Sequence, residues 1–370
     1  VAERALRSGA CDMVCWGRPL IADPALPEKA RQGRMDEIVS CIACNQGCFD
    51  SIFLGSAVCC VLNPRAGREG EIRVEKAPKS KRIFVAGGGP GGMEFALTAA
   101  QRGHQVTLFE KESVLGGQVN LAQAPPRKGE LSRIIESMSG RMKRAGVRIR
   151  LKKKLTAAFV KKNAPDLVVV ASGAQPLKIK VPGLKRPHVV GAWDVLLDRV
   201  PHIGKNIVVV GGSATGCETA HYIAALNTPD NDTLAFLSYH NAEDPDYLAK
   251  LLHDSGRRIT IIEMADKIAA NAGRTSRWSL LKSLRLMGIE LRPETKLLKI
   301  TKNSVIVEHK GKRESIPADM VVMAVGSSPV NKLAADLDGS GIGVVVIGDA
   351  KNPRKITDAV REGFEEALRV

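Results

Sequence analysis

The chain has 370 residues, 44% hydrophobic and 25% charged, enough for two or three domains that each bury a core. No apolar run reaches the roughly 18–20 residues of a membrane span, and Val1–Ala10 lacks the apolar stretch of a signal peptide. The formal charge of +16 favours anionic partners such as nucleotides or CoA esters. Dispersed basic residues, 4% aromatic content and the absence of a nucleic-acid motif argue against nucleic acid.

In chain order, residues 1–35 read as a helix, a short apolar strand at Asp12–Trp16, a Gly17-Arg18-Pro19 loop and another helix. Residues 36–75 hold a cysteine cluster, and a lysine-rich linker follows it. A strand–glycine–helix pattern opens at Lys81 and returns at Lys205, which implies two nucleotide-binding domains of similar build. Each copy later reaches an apolar strand ending in a glycine turn, Leu167–Gly173 and Met320–Gly326. A last strand, Gly343–Ile347, leads to a closing helix over Asp358–Leu368. The expected fold is therefore α/β with parallel sheets. One domain covers 76–190 and resumes at 331–370; the other covers 191–330.

Eight cysteines are present, five of them between Cys41 and Cys60. Such clustering in a long chain without a signal peptide points to metal ligands in a reducing compartment, hence the cytoplasm. Cys41, Cys44, Cys48 and Cys60 could wrap one loop around a [4Fe–4S] cluster and close it with a distant fourth thiolate. Cys59 competes with Cys60 for that place. A four-cysteine zinc site is the rival reading, although zinc sites usually show two paired CxxC knuckles. Cys11, Cys15 and Cys217 read as small buried apolar residues.

Gly87, Gly89 and Gly92 form a GxGxxG fingerprint with Pro90 at the start of its helix. Glu110, followed by Lys111, ends the next strand, where a carboxylate can accept both ribose hydroxyls. Gly117-Gln118, the strand end Ala171–Gly173 and the pair Gly348-Asp349 favour FAD at this site. The second fingerprint, Gly211, Gly212, Ser213 and Gly216, has serine for its middle glycine. Glu218 is expected on the first helical turn, and Glu263 at the next strand end favours NADH over NADPH. Arg257 and Arg258 keep a 2′-phosphate possible, and Gly326 closes the second half as Gly173 closes the first. Residues 227–256 read as an insertion between helix and strand.

These pieces, in this order, resemble the iron–sulfur branch of the old yellow enzyme-like reductases, typified by 2,4-dienoyl-CoA reductase, 2-enoate reductase and trimethylamine dehydrogenase. The resemblance rests on Gly17–Pro24, Cys41–Cys48, Cys60–Arg65, Gly87–Gly92, Gly116–Gln118 and Gly348-Asp349. It implies two Rossmann-like domains of the flavoprotein disulfide-reductase type, with Cys60 as fourth cluster ligand. It also implies an FMN-binding (β/α)8 barrel of which residues 1–35 are the last strand and helix, with Arg18 on the FMN phosphate. Electrons would run from NAD(P)H through FAD, the cluster and FMN to an activated C=C bond. The barrel would belong to the same or a separate chain, in a homo-oligomer acting on an unsaturated acid or acyl-CoA. The rival functions are an amine dehydrogenase feeding an electron-transfer flavoprotein and a non-catalytic electron-carrier subunit. The start at Val1 without methionine suggests a fragment or a processed product. No side chain of this half is expected to act as catalytic acid or base.

Overall fold

The computed structural model describes residues 2–370; Val1 lies outside the described residues. Ten strands build two parallel sheets: β1 (Arg82–Ala86), β2 (Gln105–Phe109), β3 (Arg148–Arg150), β4 (Leu167–Val170), β5 (Val189–Gly191), β6 (Asn206–Val210), β7 (Arg258–Ile262), β8 (Glu290–Arg292), β9 (Met320–Met323) and β10 (Gly343–Val346). The first sheet has the order β10-β4-β1-β2-β3 and the second β5-β9-β6-β7-β8. The sequence repeat is thus a structural repeat, since β6, β7, β8 and β9 take the places of β1, β2, β3 and β4. Only the fifth strand breaks the correspondence. The second sheet takes it from residues preceding its fingerprint, and the first takes it from the far end of the chain.

The inner strands are almost wholly apolar because both faces of each parallel sheet are covered, by helices on the first and by helices and a small antiparallel sheet on the second. In β1, β2, β6 and β7 every residue after the first is buried, as is every residue of β4. The main helices are α1 (Phe49–Phe53), α2 (Pro90–Gln101), α3 (Ser132–Arg144), α4 (Ala214–Ala225), α5 (Asn231–Tyr239), α6 (Pro245–Leu251), α7 (Arg274–Leu286) and α8 (Ile356–Arg369). Helices α2 and α4 follow β1 and β6 directly, so each opens from a glycine turn at the carboxyl end of its sheet. That is where ligands bind in open α/β sheets. A three-stranded antiparallel sheet (Thr295–Ile300, Ser304–His309, Lys312–Pro317) flanks the second sheet. A short antiparallel pair, Ala174–Pro176 with Ser327–Pro329, ties the two halves at the chain's two crossings between them.

Three expectations change in detail. Cys11 is half-buried and Cys15 exposed, so of the three outlying cysteines only Cys217 is the buried residue expected. Residues Asp12–Trp16 form no strand, because a single strand leaves its ladder groups unpaired and no neighbour is present among the described residues. The insertion is a helical pair, α5 and α6, capped by Asp230 and Asp244 on the amides of Thr233 and Asp246. Among the described residues no helix is long and apolar enough to cross a membrane.

Helix α2 buries Glu94 among the apolar residues of the first core. Thr98 donates to one carboxylate oxygen, and the other has no partner. Burial pushes this carboxyl above its ordinary value, against the smaller opposing pull of Arg141 and Thr98. The stability it contributes is full below the unfolded carboxylate value of about 4.3 and is lost as pH rises through the folded value. Glu94→Gln should therefore gain stability over the parent as pH rises from about 4.5 toward neutrality, measured by urea unfolding at several pH values. A difference that stays flat with pH would place the proton elsewhere.

Candidate functional site

The two glycine turns are built alike. Gly89 and Ser213 are the N-caps of α2 and α4, with φ/ψ of −76°/175° and −67°/174°. Neither backbone needs glycine, so the serine fits the turn without strain. No heavy atom lies within 4 Å of the Cβ that Gly89 lacks. Neither cap uses a side chain to bond the first helical amides, although Asn271 Oδ1 accepts from Ala214 N at 2.8 Å. The remaining amides and the helix dipole suit a pyrophosphate.

The outer glycines set how closely helix and strand approach. A Cβ on Gly216 would lie 1.9 Å from the Gly211 carbonyl oxygen, and one on Gly92 would lie 2.1 Å from that of Gly87. Gly87 and Gly211 have φ of +114° and +106° and abut the Ala171 and Ala324 carbonyls.

Each strand-end carboxylate closes its loop. Gly88 N–H donates to Glu110 Oε2 at 2.7 Å, and Glu112 N–H donates to Oε1 at 2.8 Å. In the second half Gly212 N–H donates to Glu263 Oε2 at 2.6 Å, and Ala265 N–H donates to Oε1 at 3.0 Å. A carboxylate offers about four lone-pair sites, so each keeps capacity for ribose hydroxyls. Lys111 stays exposed beside Glu112. Arg257 donates to the Ile223 carbonyl, which turns it toward its own fold.

Around the first turn, Gly117 stacks on Gly89, where its Cβ would lie 3.2 Å from the Gly89 Cα. Gln118 Nε2 donates to Asp349 Oδ2 at 2.9 Å, and Arg354 N–H holds the other oxygen at 3.0 Å. Gly173 adopts φ +74° near the Gln118 amide, and Gly348 N–H donates to Glu362. Gly117, Gln118, Gly173, Gly348 and Asp349, distant in sequence, thus meet at the mouth of the first sheet. Gly326 has φ +99° at the matching crossing in the second half.

Glu218 falls just beyond the first turn of α4, not on it, and its carboxylate forms an ion pair with Lys128 from the first half. The α4 helix is thereby tethered across the crevice between the two halves. Sequence reading missed Lys128 and Asn271, because neither lies in a motif.

The cysteine loop has its own strained geometry. Ala43 and Asn45 hold φ of 52° and 59°, a left-handed conformation that costs a non-glycine residue about 1–2 kcal/mol. These turns aim Cys41, Cys44 and Cys48 at one pocket that Cys59 and Cys60 also line. Ala43 N–H points at Cys41 Sγ (3.4 Å) and Leu62 N–H at Cys60 Sγ (3.5 Å). Burial pushes the Cys44 thiol up to about 11, helped by the neighbouring Cys60, Cys48 and Cys41. Cys60 rises for the same reason, with Cys41 and Cys48 adding to the effect. Among the described residues no three His, Cys, Asp or Glu side chains gather as tightly as one metal ion requires. Thiolates with backbone N–H groups aimed at their sulfurs are the kind of donor set that an iron–sulfur cluster takes.

Arg18 begins a short helix, Arg18–Ala22, and donates to Asn45 Oδ1 at 2.7 Å, on the rim of the same pocket. Asp50, on α1 just beyond Cys48, accepts from Thr275 N–H (2.9 Å) and Oγ1 (2.7 Å) at the start of α7. Burial of this carboxylate anchors the cysteine segment on the second half. Cys217 lies in the second core, its thiol pushed up to about 12 by burial, and serves packing.

The pyridine nucleotide-disulphide oxidoreductase model matches residues 81–349, and the chain belongs to that family. It is 38% identical to a metal reductase of Desulforamulus reducens, over all of this chain and 56% of that protein. It is also 38% identical to an NADH oxidase of Thermoanaerobacter brockii, over all of this chain and 53% of that protein. Among solved structures, a 2-naphthoyl-CoA reductase complex superposes on the whole chain with a TM-score of 0.88 at 29% identity, covering 52% of that chain. The chain thus spans about half the length of the relatives it matches.

Gly216→Ala should push α4 off β6 by the overlap with the Gly211 carbonyl. The expected outcome is loss of NAD(P)H-driven flavin reduction with flavin content retained, followed by stopped-flow absorbance. Normal reduction kinetics in this variant would remove the second glycine turn from the nucleotide site.

Proposed function

We propose that this chain is the electron-input half of an iron–sulfur flavoprotein reductase. It takes hydride from NADH at the second glycine turn, holds FAD at the first, and delivers single electrons through a [4Fe–4S] cluster on Cys41, Cys44, Cys48 and Cys60. The observation that carries this reading is a shared wall: Cys44 and Cys60 pack directly on the core of the first sheet. The cysteine loop and the first dinucleotide cradle therefore share one core.

When bound, FAD accepts the electron pair that a nicotinamide supplies as hydride, and the cluster carries electrons one at a time. The chain's own residues bind and align. Gly87, Gly89, Pro90, Gly92, Glu110, Gly117, Gln118, Ala171, Gly173, Gly348 and Asp349 hold FAD. Gly211, Gly212, Ser213, Gly216, Glu263 and Gly326 hold the nicotinamide nucleotide. Glu218 fixes the angle of α4 through Lys128. On this reading 76–190 and 331–370 form the FAD domain, 191–330 the NAD(P)H domain and 36–75 the cluster segment.

The acceptor in this proposal is an activated C=C bond of an unsaturated acid, acyl-CoA or aryl-CoA, reduced at an FMN barrel in the same or a separate chain. Support comes from relatives about twice as long as this chain. In that assembly residues 1–35 belong to the barrel and Arg18 faces its FMN phosphate. The amine dehydrogenase alternative would run electrons the opposite way and has no use for the second glycine turn, which is fully formed here.

Anaerobic titration with NADH should bleach the flavin and then yield a reduced-cluster electron paramagnetic resonance signal. Absence of flavin reduction by either NADH or NADPH would sink the proposal. The ligand set has its own test. Cys60→Ser should abolish the roughly four irons per chain of the reconstituted protein, whereas Cys59→Ser should keep them. The reverse pattern would make Cys59 the ligand. Coenzyme choice is tested by Glu263→Ser, which should cut the NADH-over-NADPH preference by about tenfold, or about 1.4 kcal/mol. An unchanged ratio would remove Glu263 from the ribose site.

A further inference from the structure

Helices α5 and α6 have no buried residue, although they carry Leu234, Phe236, Leu237, Tyr239, Tyr247 and Leu248. Phe236, Tyr239 and Tyr247 are 60%, 82% and 47% exposed. Helices of nine and seven residues lie below the length that is stable alone in water, and tertiary burial normally supplies the difference. The main packing partner of each helix is the other. Its charge is equally distinctive. Residues 227–256 hold six carboxylates (Asp230, Asp232, Glu243, Asp244, Asp246, Asp254) and one lysine, within a chain of net charge +16.

The complementary surface lies on the same chain. Residues 148–162 hold seven Lys or Arg and no acidic residue, and all seven are exposed. The segment comprises the edge strand β3, the loop after it and the helix Ala157–Asn163. Charged residues on an edge strand guard against unwanted strand pairing, and Arg148 and Arg150 suffice for that. Lys152, Lys153, Lys154, Lys161 and Lys162 lie off the strand and are unaccounted for by it.

We propose that the acidic helical pair α5–α6 of one copy of this chain docks on the basic segment 148–162 of a second copy. Carboxylates and aromatic faces both attract ammonium groups, so Phe236, Tyr239 and Tyr247 reinforce the charge match. A twofold arrangement would use the contact twice, pair against segment in each direction, and would close without leaving either surface free.

The test is sedimentation velocity on the cofactor-loaded chain with two charge-reversed variants. One carries Asp232→Lys, Glu243→Lys and Asp246→Lys, which spares the caps Asp230 and Asp244. The other carries Lys154→Glu, Lys161→Glu and Lys162→Glu. The parent should associate at low ionic strength and dissociate near ~1 M salt, where the Debye length is about 3 Å. Each variant alone should be monomeric, and an equimolar mixture should associate, since each then presents what the other lacks. Far-UV circular dichroism and flavin absorbance report folding. Should either variant misfold, replacement of 231–251 by a Gly–Ser linker must still abolish association of the parent chain. A monomeric parent at low salt overturns the proposal. So does association persisting in either reversed variant or in the linker variant, or failure of two folded variants to combine.

Discussion

Each half of this molecule depends on a carboxylate that reaches from the end of one strand to the amide of the neighbouring glycine turn. Glu110 and Glu263 hold the turns that start α2 and α4, and with them the direction of both helix termini. A carboxylate accepting two backbone N–H bonds is among the stronger uncharged-partner arrangements available to a protein. It fixes the spacing of strand, turn and helix to within a hydrogen bond. The rest follows from that spacing: the glycines needed for close approach, the free amides at the helix starts, and the open space in front of Gly89.

The duplicated architecture was legible because parallel sheets write themselves plainly. Their strands are continuous apolar runs, and each glycine turn sits directly after one. The strand-end acids could be read for the same reason, since the distance from turn to next strand is set by one helix. Even the second half, where α5 and α6 interrupt that distance, kept Glu263 recognisable at the close of an apolar run. The stretch at Asp12–Trp16 misled because apolar content is only half of what makes a strand; the other half is a neighbour.

Contacts between segments were not legible at all. Nothing in the composition of 127–128 announces an ion pair with Glu218, and nothing near Asn271 marks it as a partner for Ala214. The left-handed turns at Ala43 and Asn45 were equally hidden, since neither position holds glycine. Periodicity reports which face of an element is dry. It does not report which distant side chain completes a site, because that depends on how whole elements are carried together.

The buried carboxylate of Asp50 links the cysteine loop to the second half, two residues past Cys48 and at the first turn of α7. Any swing of the second half relative to the first would have to drag this anchor or tear it from its two donors. The loop is thus gripped at both ends, by the first core through Cys44 and Cys60 and by the second half through Asp50. Its two anchors lie on different sheets, so the cysteine loop acts as a strut that couples the packing of one half to that of the other.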